Sequence, residues 1–88
     1  MKLLFERSFL KDLERLNDSK TKEQVLEIID LFEINSTFEI IPNLKKLKGY
    51  RSAYRIRIGN YRLGFFVEDS VVIFSRFLHR KDIYKKFP

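Results

Sequence analysis

Residues 54 to 65 read YRIRIGNYRLGF, and this stretch restricts the fold more than any other part of the chain. Apolar and basic residues alternate from Tyr54 to Ile58, the period of a strand with two unlike faces. Gly59-Asn60 then signals a two-residue hairpin loop, because glycine accepts the positive φ that the first central position of a type II′ turn requires. Such a loop sets Ile58 against Tyr61, Arg57 against Arg62, Ile56 against Leu63 and Arg55 against Gly64. Arg55, Arg57 and Arg62 then share one face, with Tyr54, Ile56, Ile58, Tyr61, Leu63 and Phe65 on the other. Like charges directly opposite one another weaken a sheet, so converging arginines suggest that a polyanion is expected there, and we read the cluster as a phosphate site. The plain alternative is a solvated strand face. Three uses of Arg, and a Gly64 that leaves room above the sheet opposite Arg55, argue for the first reading; on the residues alone both stay open.

The 88 residues suit one domain, spanning 1–88, near the lower end of what a single core can hold. Nine Phe and four Tyr among 44% hydrophobic residues suffice for a core, which argues against a disordered chain. Cys is absent, so disulfides and thiolate metal sites are excluded; with His79 as the one histidine this also argues against a side-chain zinc site, and no metal or cofactor is expected. No apolar run approaches the roughly 20 residues of a membrane span, and the stretch Leu3-Leu4-Phe5 is short for a signal peptide. A cytoplasmic protein without membrane contact is therefore expected. The formal net charge is +6 and is unevenly spread. Residues 1–42 carry six Lys or Arg against nine carboxylates, whereas residues 43–88 carry twelve against Glu68, Asp69 and Asp82. Such a basic half favours nucleic acid, an anionic surface or an acidic protein as partner.

Lys2 to Glu6 suits a short strand. Ser8 is a suitable N-cap, with Phe9, Leu13 and Leu16 at helical spacing behind it. Asn17 to Lys20 interrupts the pattern, and Thr21 with Gln24 resembles a capping box opening a second helix through Val25, Ile28, Ile29 and Phe32 to about Ile34. The two helices should form an antiparallel hairpin whose charges are solvated. After a loop from Asn35 to Pro42, Leu44 to Gly49 reads as a strand with a basic edge that includes Lys48. A turn at Glu68-Asp69-Ser70 returns the chain into Val71–Leu78. A three-residue loop there places Arg76 beside Arg62 on the basic face. A two-residue loop drives it toward the core, which is expensive for an unpaired Arg, so the first register is expected. The tail from His79 to Pro88 suits one helical turn or a docked extension. The fold class expected is α+β: two N-terminal helices packed on one face of a small, mainly antiparallel sheet, with a basic opposite face.

There is no Gly-rich phosphate loop, and Ser75 lies mid-strand rather than on a nucleophile elbow. What remains is a set of cations, Arg55, Arg57, Arg62, Arg76, Arg80 and Lys81, with the phenol of Tyr84 and the imidazole of His79. RNA can be cut without a metal when its own 2′-OH attacks the neighbouring phosphorus. That reaction needs a base, cations for the charge on five-coordinate phosphorus, and an acid for the departing 5′ oxygen. Arginines suit the second role because they stay charged and can bond two phosphate oxygens at once. Nearby positive charge favours a phenolate, so Tyr84 is a candidate base, and His79 is the other group able to move a proton near neutral pH. Each also has a plain reading, Tyr84 as an anchor of the tail and His79 as a surface residue.

The combination Phe5, Ser8 to Leu13, Leu47-Lys48-Gly49, Tyr54 to Arg62 and His79-Arg80-Lys81-Asp82-Ile83-Tyr84 resembles the RelE/ParE superfamily of toxins from toxin–antitoxin modules, on its RelE side. The resemblance spans nearly the whole chain. It implies two N-terminal helices on an antiparallel-dominated sheet and, in RelE-type members, an endoribonuclease that cuts mRNA in the ribosomal A site without a metal. It also implies a cognate antitoxin, with the ribosome and mRNA as further partners. By position it implies catalytic roles for Arg62, Arg80 and Tyr84, to which His79 is added as an alternative proton carrier. Arg55 and Arg57 stand where RelE-type toxins have a basic pair; with Arg76, Lys48 and Lys81 they form the expected phosphate-binding set. Arg hardly deprotonates, so a lysine acting as base in that pair has no equivalent in Arg55 or Arg57. The ParE side shares the fold but poisons DNA gyrase. A non-catalytic gyrase inhibitor, or an RNA-binding module that has lost cleavage, is therefore the alternative.

Overall fold

The computed structural model describes residues 1–88. Strand β1 (Lys2–Phe5) leads into helices α1 (Arg7–Arg15) and α2 (Ser19–Ile34). Strands β2 (Leu44–Lys46), β3 (Ala53–Ile58), β4 (Tyr61–Glu68) and β5 (Val71–His79) follow, and helix α3 (Arg80–Lys86) closes the chain. The five strands form one sheet in the order β1-β5-β4-β3-β2. β1 lies parallel to β5, while the other three pairings are antiparallel. This is the α+β architecture expected from the residues.

The helical hairpin covers one face of the sheet. Phe9, Val25, Ile29 and Phe32 from the helices are buried against Ile56, Ile58, Leu63, Phe65 and Phe74. The ring of Phe32 stands edge-on to both Phe65 and Phe74, with centroids 5.2 Å away in each case, an arrangement that adds to simple burial of area. The helix starts differ from expectation. Ser8 lies inside α1, and its Oγ donates to the Ser75 carbonyl at 2.7 Å instead of capping. Helix α2 is capped three residues before the expected position, by Asp18, whose carboxylate accepts from the amides of Lys20 and Thr21 and from the Thr21 hydroxyl. The hydroxyl bond, chiefly, holds the Asp18 carboxyl below its ordinary pKa. Its contribution to the helix start is therefore present above the ordinary carboxylate range and is lost as pH falls through the lowered value.

The β3–β4 register matches the sequence reading pair for pair, from Ile58 opposite Tyr61 to Arg55 opposite Gly64. Gly59 has φ +59°, the left-handed conformation at the first loop position that excludes most side chains. The next turn departs from expectation. Asp69 and Ser70 form a two-residue loop, both with positive φ, and Glu68 pairs with Val71. The register then shifts between Gly64 and Phe65, so that Phe74 faces Phe65 while Arg76 faces Gly64. The extra residue, Ser75, forms a bulge, which lets one strand change its phase against its neighbour. Arg62 therefore faces Leu78, and Arg76 does not lie beside it. An arginine is tolerated in this register because it is not unpaired: Asp12 of α1 meets it.

The other sheet face is not bare. Helix α3 lies on it, burying Ile83 and Phe87 against Ala53, with Leu47, Phe66 and Leu78 alongside. The room above Gly64 is taken by Phe87; a Cβ on Gly64 would stand 2.6 Å from that ring. Gly64→Ala is therefore expected to lift the end of α3 and to cost about 1–3 kcal/mol, the usual range for overpacking. Urea denaturation measures this, and an unchanged midpoint would show that Phe87 does not dock on β4.

Candidate nucleic-acid interface

Pairing on the α3 side of the sheet builds the site. Lys45 of β2 faces Arg55 of β3, and Arg57 of β3 faces Arg62 of β4, so two rows of cations lie side by side. Tyr84 projects from α3 beside them. The Arg55 guanidinium carbon sits 4.5 Å from the centroid of the Tyr84 ring, within the range of a cation–π contact. Together Asn43, Lys45, Arg55, Arg57, Arg62 and Tyr84 line a cleft of about 260 Å³.

Local bonds set the arginines. Nη1 of Arg62 donates to the carbonyls of Gly59 and Tyr61 at 3.0 and 2.9 Å, so the hairpin loop holds its own arginine. Nη2 of Arg57 donates to Oδ1 of Asn43 at 3.3 Å, and the Arg57 amide donates to the Asn43 carbonyl. Asn43 has φ +63°, a conformation that asparagine accepts more readily than most residues. No carboxylate lines the cleft. The ion pair of this structure is Asp12–Arg76, away from the cleft, so the four cleft cations are not neutralised.

Five of the residues expected at the site lie elsewhere, or only beside it. Arg76 donates from Nε and Nη2 to the two carboxylate oxygens of Asp12 at 2.8 and 3.0 Å. The same carboxylate accepts the Phe77 amide at 2.9 Å. The hydrogen bond to this carboxylate, outweighing partial burial, raises the Arg76 pKa. The expectation of Arg76 as a phosphate ligand is thus corrected: it is a brace between α1 and β5. His79 caps α3, its Nδ1 accepting from the Lys81 amide, and its ring lies edge-on to Tyr61. It opens onto a different cleft, with Asp12, Arg15 and Lys86. Arg80 and Lys81 are exposed in the first turn of α3 and line neither cleft. Lys48 borders an adjoining groove that shares Lys45, Arg55 and Tyr84 with the cationic cleft.

Three residues escaped the sequence reading. Asn43 had no signal before the β2–β3 register was known, and Lys45 had only its place in the expected strand with a basic edge. Asp12 had one: with Phe9, Leu13 and Leu16 it falls at i, i+3, i+4 and i+7, so a carboxylate sits on the apolar stripe of α1. Its burial corrects the expectation that the charges of the hairpin are all solvated.

Fold and site together define a small basic α+β protein with an unneutralised cationic cleft on the sheet face opposite its helical hairpin. The family model described as the ParE toxin of the type II toxin–antitoxin system parDE matches residues 3–84. Toxin RelE3 of Methanocaldococcus jannaschii is 44% identical over 88 residues, covering all of both chains. Among solved structures, the RelB–RelE antitoxin–toxin complex from Methanococcus jannaschii superposes with a TM-score of 0.85 at 39% identity, over 97% of this chain and 99% of that one. The intact RelBE toxin–antitoxin complex of E. coli gives 0.68 at 28% identity, over 89% and 94% of the two chains. The chain belongs to the RelE/ParE superfamily of toxins of type II toxin–antitoxin systems.

Proposed function

We propose that this toxin is a ribosome-dependent mRNA endonuclease working by attack of the RNA 2′-OH on the adjacent phosphodiester, without a metal. The observation that carries the reading is the cleft itself: four cations, no carboxylate and one phenol in the same opening. Lys45, Arg55, Arg57 and Arg62 hold the phosphate and offset the charge that builds on five-coordinate phosphorus. Tyr84, in its deprotonated form, takes the 2′ proton on its phenolate oxygen as the P–O2′ bond forms, and becomes the neutral phenol. The P–O5′ bond breaks, and the departing oxygen takes a proton from Lys45, which the arginines cannot replace as a donor. The partners are a cognate antitoxin, as in the solved complexes of the relatives, and the ribosome with its message; the location is the cytoplasm, where translation runs.

Cleavage by this route leaves a 2′,3′-cyclic phosphate or 3′-phosphate and a 5′-hydroxyl, and persists in EDTA. Inducing the protein and mapping new 5′ ends on translated and untranslated messages tests it. Arg62→Ala is expected to keep the fold, since the bonds it loses are to hairpin carbonyls near the surface, and to lower cleavage about 100- to 1,000-fold. Products bearing a 5′-phosphate would reject the chemistry. Inhibition of supercoiling by purified gyrase, with messages left intact, would favour the ParE-type reading that the name of the matching family model suggests.

A further inference from the structure

The groove next to the cationic cleft has an unusual lining for so basic a surface. It measures about 320 Å³, and Leu47, Phe87 and Pro88 give it an apolar lining between Lys45 and Lys48. Tyr50, in the connection between β2 and β3, and Tyr84 both line it, and both are more than half exposed, at 52% and 64%. Lys45, Arg55 and Tyr84 line the groove and the cationic cleft alike, so the two are continuous. A scattered exposed tyrosine needs no explanation. Two at one apolar groove, flanked by cations without carboxylate partners, describe an occupant that is flat and apolar in one part and anionic in the next.

A single-stranded nucleotide has that chemistry. We propose that this groove is a nucleobase-stacking site, in which Tyr50 holds the base of a nucleotide adjoining the one whose phosphate lies in the cationic cleft. The inference rests on the RNA-cleavage reading for its ligand and adds a subsite and a residue to it. Lys45 and Lys48 meet the flanking phosphates, and the ring of Tyr50 supplies a stacking surface that tolerates any base. Stacking of a base on an aromatic side chain is lost on truncation to alanine, at about 5- to 150-fold in affinity, and needs no hydroxyl.

The test is fluorescence anisotropy with a labelled single-stranded RNA oligonucleotide whose reactive 2′-OH is replaced by hydrogen, so that binding is read without cleavage. Tyr50→Ala is expected to weaken binding about 5- to 150-fold, while Tyr50→Phe binds as the wild type does. An abasic position placed along the oligonucleotide should, at one position, weaken the wild type and leave Tyr50→Ala indifferent. Circular dichroism checks that both variants are folded. Unchanged binding by folded Tyr50→Ala, no binding by the wild type, or an equal loss at every abasic position overturns the site. So does a Tyr50→Ala variant that loses affinity for the cognate antitoxin but not for RNA, which would assign the groove to the protein partner. Tyr50-dependent binding by a wild type that never cleaves would leave the site standing and reject only the endonuclease reading.

Discussion

Replacing Tyr84 by Phe is expected to lower mRNA cleavage about 100- to 10,000-fold, the range that general acid–base catalysis contributes, while ribosome binding is retained. The Arg55 guanidinium packs against the Tyr84 ring, and that contact needs the ring and not the hydroxyl. Tyr84→Phe therefore keeps the wall between the cationic cleft and the adjoining groove and removes only the atom proposed to accept the 2′ proton. Tyr84→Ala should in addition free the Arg55 side chain and weaken binding. Single-turnover cleavage on programmed ribosomes, with binding measured separately, resolves the two effects. Near-normal cleavage by Tyr84→Phe excludes the phenol as base. His79 does not inherit the role readily, because it opens onto a separate cleft with its Nδ1 engaged at the start of α3. Lys45, within the cationic cleft, is then the group to test, and Lys45→Arg keeps the charge while removing a usable proton carrier.

Asp12→Ala should destabilise the protein by about 3–5 kcal/mol, the usual cost of breaking a buried pair by deleting one partner. The Asp12 side chain is only 2% exposed, and its two oxygens satisfy both Arg76 and the Phe77 amide. Deleting it leaves a guanidinium and a buried backbone N–H without their partner, just where β5 has run past the end of β1. Natural domains are stable by about 5–15 kcal/mol in all, so the loss is a large share of the total. Urea denaturation followed by far-UV circular dichroism measures it; a change within 1 kcal/mol would show that the brace is dispensable. Arg76→Ala carries a second expectation that separates structure from function. It should lower stability, yet leave oligonucleotide binding by the folded fraction near that of the wild type, because Arg76 does not line the cleft.

The positions of the arginines show how far local pattern reaches. Arg55, Arg57 and Arg62 belong to one hairpin, and a two-residue loop with a glycine specifies which residues face each other, so their convergence was legible from twelve consecutive residues. Arg76 belongs to the next hairpin. Its place depended on whether a bulge interrupted β5, and the bulge sits opposite Gly64, over which Phe87 docks, and is formed by Ser75, whose carbonyl is held by Ser8. No local signal carries those three facts. Ser8 fits a cap by local pattern but does not act as one for the same reason: the partner that draws its hydroxyl away is 67 residues distant.

Periodicity and turn chemistry in the sequence determined the two helices, the basic hairpin, its register and the separation of an apolar sheet face from a cationic one. These rest on interactions between near neighbours, which repeat with the period of the backbone. Tertiary structure alone decided what joins the three hairpin arginines in the cleft. It brought Lys45 opposite Arg55, carried Tyr84 back over the sheet on α3, and left His79 and Arg80 outside. It also turned Asp12 inward to hold Arg76. Each of these depends on a meeting of residues far apart in the chain, where the free energy of burial and pairing, not local backbone preference, selects the partner.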